Sequence, residues 1–290
     1  MNKLTSAEEA LSVIQDGMTV GIGGWGPRRK PMGLVRTLLR SDARELTIVA
    51  YGGADVGLLC ASGKVKRVVF AFVSLDFMPL EPAFRQARER GSVEVTEIDE
   101  GMMLLGLRAA AWGCPFIPTA IGLGTDVIKN APEIQVIESP YDNKDWVAMP
   151  ALNLDVALVQ ATRADASGVC EIASPDHYMD DWFVRAATHS IVSIDEVVES
   201  EYFQNPDVAR KVFWERNCIQ SVVLQPGGAH PTSSDPLYGF DVPHFKRYAE
   251  LINEGGFAAW ADAFLGSDEV AYQQSVGGLD AIKALPLPVY

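Results

Sequence analysis

The sequence contains too few basic residues for a protein that binds polyanions. Lysine and arginine number 24 against 38 aspartates and glutamates, so the formal net charge is −14. Nucleic acids and anionic membranes attract proteins with basic surfaces, and the composition therefore argues against both as partners. Hydrophobic residues make up 48% of the 290 residues and charged residues 21%. That balance is typical of a globular chain with a large core.

Long apolar runs are also missing from the sequence. The most apolar stretch, residues 65–80, is interrupted by Lys66, Arg67 and Asp76. No run reaches the roughly 18–20 residues of a membrane span. The amino terminus becomes acidic from Glu8 and lacks the apolar core of a secretory signal. We therefore expect a cytoplasmic protein that does not bind membranes.

The cysteines are few and widely separated. Cys60, Cys114, Cys170 and Cys218 lie about 50 residues apart and form no C-x-x-C pair. Zinc sites need closely spaced ligands, and disulfide frameworks occur in secreted proteins. We expect four reduced thiols and no metal site.

Apolar segments of strand length alternate with amphipathic segments of helix length. Uninterrupted apolar strands predict a mainly parallel sheet that is covered by helices on both faces, which is an α/β fold. No linker interrupts the pattern, so we expect a single domain over residues 1–290 with a helical C-terminal tail from about residue 240. The predicted strands are 18–22, 46–51, 68–73, 93–98, 116–120, 133–137, 156–161, 190–194 and 221–224, and the predicted helices include 31–40, 81–90, 102–112, 178–187 and 207–216.

A glycine-rich loop follows the first long strand. Gly21, Gly23 and Gly26 match the G-x-G-x-x-G pattern of dinucleotide-binding proteins. Pro27 and Pro31 prevent a helix from beginning at the third glycine, as that pattern requires, and the next strand ends in glycines where an acid should meet a ribose. The loop instead predicts backbone N–H groups that contact an oxyanion or a close ligand, or else a plain turn.

Two charged motifs occupy strand-to-helix loops, where parallel sheets bind their ligands. Arg28, Arg29 and Lys30 are three consecutive cations, which bind a phosphate or carboxylate or else pair with the chain's own acids. Asp99 and Glu100 precede a long apolar helix. A carboxylate there is either a base or nucleophile, or a cap of the helix, and the residues alone favour the cap.

Several familiar catalytic motifs are absent. The sequence contains no G-x-S-x-G elbow and no G-x-x-x-x-G-K-[ST] loop, which argues against a serine α/β-hydrolase and a P-loop enzyme. Near the C-terminal end, Gly227, Gly228 and His230 follow the last predicted strand. From the residues alone, a single loop histidine of this kind favours a structural role.

Taken together, these loops resemble the alpha subunit of class I coenzyme A-transferase-like enzymes. Segments 24–32, 58–66, 72–76 and 99–102 are similar to the alpha subunit of steroid-ring-opening CoA hydrolases, which act in bacterial cholesterol or bile-acid breakdown. The tail near residues 243–248 is similar to glutaconate CoA-transferase. The wider resemblance covers nearly the whole chain and rests on segments 23–31, 51–53, 109–118, 148–151, 164–168 and 226–230.

The resemblance to the ring-opening hydrolases implies a reaction and a base. Glu100 matches the catalytic glutamate of their Asp-Glu-Gly-Met motif, and this outweighs the cap that the residues alone favour. The implied reaction is hydrolytic carbon–carbon cleavage in a cyclic β-keto acyl-CoA. The coenzyme A thioester is then the substrate, no cofactor is bound permanently, and the partner is a beta subunit of the same family in an α2β2 assembly.

The resemblance also implies which residues contact the substrate. The cations are expected to hold a carboxylate or a phosphate, and the glycine N–H groups are expected to face developing oxyanions. The implied substrate or coenzyme A contacts are Gly23, Gly24, Arg28, Arg29, Lys30, Gly227, Gly228 and His230.

Two alternative functions remain open. The first is coenzyme A transfer to a carboxylate, in which a glutamate of the partner subunit forms the covalent thioester and Glu100 only positions the substrate. The second is an acyl-CoA-binding scaffold without catalytic activity.

Overall fold

The computed structural model describes residues 2–78 and 80–288. The strands are β1 (Leu4–Thr5), β2 (Thr19–Ile22), β3 (Leu46–Gly52), β4 (Val65–Val73), β5 (Glu94–Glu97), β6 (Phe116–Thr119), β7 (Gln135–Glu138), β8 (Asp145–Pro150), β9 (Leu154–Ala164), β10 (Cys170–Glu171), β11 (Ala187–Val197) and β12 (Ser221–Leu224). The helices are α1 (Ala7–Leu11), α2 (Met32–Arg40), α3 (Ala54–Ala61), α4 (Pro82–Arg90), α5 (Glu100–Ala111), α6 (Asp126–Asn130), α7 (Asp180–Ala186), α8 (Pro206–Ala209), α9 (Val242–Trp260), α10 (Glu269–Ser275) and α11 (Leu279–Lys283).

The main sheet is parallel almost throughout. Its strand order is β1-β12-β11-β9-β2-β3-β4-β5, and every neighbouring pair along that order is parallel. The short β10 pairs antiparallel with β9. A separate antiparallel sheet has the order β6-β8-β7. The predicted α/β class with a mainly parallel sheet is therefore confirmed.

The main sheet separates two apolar layers. In β3, Ile48 and Ala50 point into one layer, whereas Val49 and Tyr51 point into the other, because successive side chains of a strand face opposite sides. Helices α1 to α4 and α9 contribute to the first layer, and α5, α7 and the small sheet contribute to the second. Helices cover both faces, as predicted.

The clearest differences from the predictions concern three elements. The helix predicted over 207–216 is shorter than expected and ends at Ala209, as α8. The chain leaves the helix there and buries Trp214, which is 3% exposed. Strands 116–120 and 133–137 form the small sheet around β8, which was not predicted. Helix α3 was also missed, since nearly all of its residues are buried and it shows no polar face from which a helical period could be read.

The tail after residue 240 consists of α9, α10 and α11. Phe245, Tyr248 and Ile252 of α9 are buried in the first apolar layer. The tail is thus helical, as predicted, and part of the core. Among the described residues, no helix is both long and apolar enough to cross a membrane.

Candidate active site

Glu100 lies at the edge of the sheet where the strands end. The loops after β2, β3, β4 and β5 meet there, because the carboxyl ends of parallel strands share one edge. Asp99 caps α5, and its side chain accepts the N–H of Gly101 at 2.7 Å. The cap is therefore Asp99, and Glu100 is the first residue of the helix. Within the described part of the chain, the exposed Glu100 carboxylate makes no hydrogen bond or ion pair.

The surroundings of Glu100 favour its protonated form more than water does. Partial burial raises the pKa of Glu100 above its ordinary value of 4.5, and the neighbouring Asp99 carboxylate raises it further. A carboxylate with a raised pKa is a better proton acceptor near neutral pH. The position thus suits a general base.

An aromatic stack lies beneath the start of α5. The Tyr51 hydroxyl donates to the Glu100 carbonyl oxygen at 2.9 Å. Its ring stacks on Trp25 at 4.9 Å between centroids, and Trp25 stacks in turn on Tyr178 at 5.9 Å. Phe72 meets the Trp25 ring edge-on at 4.8 Å. We call Trp25, Tyr51, Phe72 and Tyr178 the aromatic stack.

A β-bulge places Phe72 in this stack. Ala50 pairs with Phe70 and Gly52 pairs with Val73, so that two residues of β4 lie opposite the single residue Tyr51. Such a bulge changes the direction of a side chain and is common beside active sites. Sequence reasoning missed the aromatic stack. The available signal was an aromatic residue at or just beyond the ends of three neighbouring strands.

The three consecutive cations occupy different environments. Arg29 is buried and contacts Asp180 at 2.5 Å, and Lys30 is buried and contacts Asp55 at 2.9 Å. Of the two alternatives, pairing with the chain's own acids therefore describes both buried residues, and neither is free for an anionic ligand. Arg28 is 26% exposed and pairs with a partly exposed acid, Asp76. Among the three, only Arg28 is accessible to a substrate anion.

The predicted oxyanion contacts of the glycine N–H groups are not supported by the geometry. Gly23 donates to the Leu158 carbonyl at 2.9 Å and Gly24 to Asp180 at 2.7 Å. In the loop after β12, the Gly227 N–H donates to the Asp195 carboxylate at 2.8 Å. The Gly228 N–H donates to the Gln225 carbonyl at 2.8 Å. An oxyanion hole needs preorganised N–H donors that already point at the position of the oxyanion, and these four N–H groups point at acceptors within the chain.

His230 is buried, and both of its ring nitrogens have hydrogen-bond partners. Its ring is 1% exposed, and its two nitrogens contact the Tyr272 hydroxyl at 2.7 Å and Asp241 at 3.1 Å. Burial lowers the pKa of His230. These contacts fit the structural role that the residues alone favour, in which His230 connects the loop after β12 to α9 and α10. The substrate contact that the resemblance implies stays a prediction.

A cleft adjoins the aromatic stack. It has a volume of about 480 Å³ and lies between β4 and α4. Phe72 belongs both to its lining and to the aromatic stack, and the cleft reaches Glu97. Apolar side chains dominate its inner wall, including Phe70 and Phe84. Such a cleft can accept an apolar group that has a charged end.

The fold and this site define a class of protein. Residues 4–224 match the coenzyme A transferase family model, and the chain belongs to that family. This confirms the resemblance inferred from the loops.

Two relatives have closely similar sequences. The chain is 40% identical over 288 residues to the cholesterol ring-cleaving hydrolase IpdA subunit of Mycobacterium tuberculosis, covering 97% of this chain and 99% of that one. It is 42% identical over 285 residues to the IpdA subunit of Rhodococcus jostii, covering 95% and 96%. Its fold is that of glutaconate coenzyme A-transferase from Acidaminococcus fermentans, with a TM-score of 0.91, 24% identity, and coverage of 98% and 95%.

Proposed function

We propose that this chain is the alpha subunit of a heteromeric hydrolase that opens a carbon ring in a cyclic β-keto acyl-CoA from steroid degradation. Glu100 is the general base. One observation carries the proposal: within the described residues the Glu100 carboxylate has no partner and lies at the edge where the parallel strands end, while its backbone is held by Asp99 and Tyr51. The 40% identity to an IpdA subunit supports the same reaction.

The chemistry consists of a hydrolytic retro-Claisen cleavage. Glu100 accepts a proton from water, and the resulting hydroxide adds to the ring ketone. The adduct collapses to a carboxylic acid and breaks the bond to the adjacent α-carbon, whose electron pair becomes a thioester enolate. The proton held by Glu100 returns to that carbon. Among the three consecutive cations, Arg28 is the accessible one, and it would bind the new carboxylate or a phosphate of coenzyme A.

Coenzyme A transfer is the second candidate. The overall fold matches glutaconate coenzyme A-transferase at a TM-score of 0.91, which favours this alternative as far as architecture is concerned. In such a reaction a glutamate of the partner subunit would carry a covalent thioester. Glu100 would then only position the substrate.

The proposal includes a partner subunit. The relatives named above are described as subunits, and we propose a beta subunit of the same family in an α2β2 assembly. The coenzyme A thioester is the substrate, without a permanently bound cofactor. The cytoplasmic location stays a prediction; the four cysteines are free thiols, which suits a reducing compartment.

Replacement of the base tests the proposal. Glu100→Gln in the assembled enzyme should lower kcat by about 10²–10⁴-fold, which is the usual contribution of a general base. Binding of the acyl-CoA should persist, because the amide keeps the shape of the side chain. Glu94→Gln is the matched control, since Glu94 is an exposed glutamate on β5 nearby. Full turnover by Glu100→Gln would contradict the general-base role.

A further inference from the structure

The direction of the Glu100 side chain depends on its backbone. The carboxylate has no partner of its own among the described residues, so nothing on the side chain fixes where it points. The backbone around it is held from two sides. Asp99 accepts the Gly101 N–H, and the Tyr51 hydroxyl donates to the Glu100 carbonyl at 2.9 Å. The second contact joins β3 to the start of α5.

Tyr51 is itself rigidly placed. Its side chain is fully buried, its face lies on Trp25 at 4.9 Å, and Phe183 meets it edge-on at 6.2 Å. Aromatic pairs in these two geometries are the favourable ones. Because the Tyr51 ring is packed from both directions, its hydroxyl has a fixed position beside the Glu100 carbonyl oxygen.

The aromatic stack also contacts a buried ion pair. Below Trp25 lies Tyr178, and the Arg29 guanidinium sits over the Tyr178 ring at 5.3 Å. Arg29 pairs with Asp180, which also accepts the N–H of Gly24 in the glycine-rich loop. An uninterrupted series of contacts thus joins the interior of the sheet to the backbone of the proposed base.

We propose that Tyr51 is a positioning residue that orients Glu100 through the first turn of α5. This inference rests on the proposed function of Glu100. A catalytic group must be held within a fraction of an ångström of its productive position, and the groups that hold it are part of the catalytic design. Two restraints on one helix turn, from the cap and from the phenol, provide that precision here.

Tyr51→Phe is the appropriate change because it removes the hydroxyl and keeps the stacked ring. In the assembled enzyme we expect kcat to fall about tenfold and KM to stay within about twofold, as expected when an interaction serves the transition state more than substrate binding. The control is Tyr202→Phe. This control substitution also removes a tyrosine hydrogen bond, the one from the Tyr202 hydroxyl to Glu171 at 3.0 Å. Tyr202 is not part of the proposed site, so the substitution should leave kcat unchanged.

A double-mutant cycle separates positioning from stability. If Tyr51 acts through Glu100, Tyr51→Phe should cause no further loss of kcat in the Glu100→Gln background. A merely structural role would lower kcat by the same factor in both backgrounds, and that result would overturn the proposal. An unchanged kcat in the single variant would overturn it as well. Full turnover by Glu100→Gln alone would instead refute the proposed function.

Discussion

At the scale of single residues, the carboxylate of Glu100 determines the expected pH dependence. A general base works only when it is deprotonated, so activity should fall as the pH falls through its pKa. Partial burial and Asp99 raise that pKa above 4.5. We therefore expect the acid limb of kcat/KM to have its midpoint above 4.5, and pH–rate profiles of the assembled enzyme measure it. A midpoint below 4.5 would contradict the assignment.

The residue scale also shows how far sequence reasoning reached. The Asp-Glu-Gly-Met motif indicates Glu100, because such a motif lies in one continuous stretch of sequence, and the role of Glu100 as the base stays a prediction. Tyr51, Trp25 and Tyr178 were not found as a group, since they come from three separate loops and strands and only the fold brings their rings together. The local sequence around each residue does not show that the three rings stack.

The sequence alone could not show that Arg29, Lys30 and His230 are buried. Arg29 and Lys30 stand in a run that looks like an anion site, but both are turned inward onto Asp180 and Asp55. In the sequence, Asp180 lies 151 positions after Arg29, and Asp55 lies 25 positions after Lys30. A sequence without coordinates cannot show which distant acid neutralises a given cation.

At the scale of elements, Glu81 connects α4 to α9. It caps α4 by accepting the Phe84 N–H at 2.6 Å, and it accepts the hydroxyl of Tyr248 from α9. Burial raises the pKa of Glu81 to about 7. Between pH 4.5 and about 7, the Glu81 carboxyl therefore holds its proton more tightly in the folded state than in the unfolded chain.

The sign of the resulting stability change follows from this linkage. As the pH rises from 4.5 to 7, the unfolded chain loses its proton first, so the contribution of Glu81 to the free energy of unfolding falls, by at most about 3 kcal/mol. Glutamine does not titrate, so Glu81→Gln should show a smaller fall in thermal stability between pH 5 and 8 than the wild type. Thermal melts of this variant beside Glu89→Gln, an exposed glutamate of α4, make the comparison. Parallel pH profiles for Glu81→Gln and wild type would contradict the prediction.

Element prediction succeeded where apolar patterns were simple. The strand 221–224 coincides with β12, and 46–51 differs from β3 by one residue, because buried parallel strands are continuous apolar runs. Strand β8 was missed since it includes Asp145 and Pro150, residues that are uncommon in strands. It becomes a strand by pairing with β6 on one side and β7 on the other.

At the scale of the whole molecule, the exposed apolar surface bears on the partner subunit. The small sheet presents Phe116, Pro118, Ile137, Tyr141 and Trp146 around a groove of about 310 Å³. Large exposed apolar patches on a single chain are usually covered in the assembly or lead to aggregation. We expect the chain purified alone to be inactive and to aggregate, and co-expression with the beta subunit to restore both solubility and turnover. Light scattering and activity assays measure this, and a fully active monomer would refute the partner.

The most direct test of the central claim is intact-mass spectrometry of this chain co-expressed with its partner and incubated with cyclic β-keto acyl-CoA substrates. We predict no covalent coenzyme A or acyl adduct on either subunit, together with a product that has gained the mass of one water only when Glu100 is intact. A coenzyme A-sized adduct on a glutamate of the partner, formed equally by wild type and Glu100→Gln, would contradict the account and establish transferase chemistry.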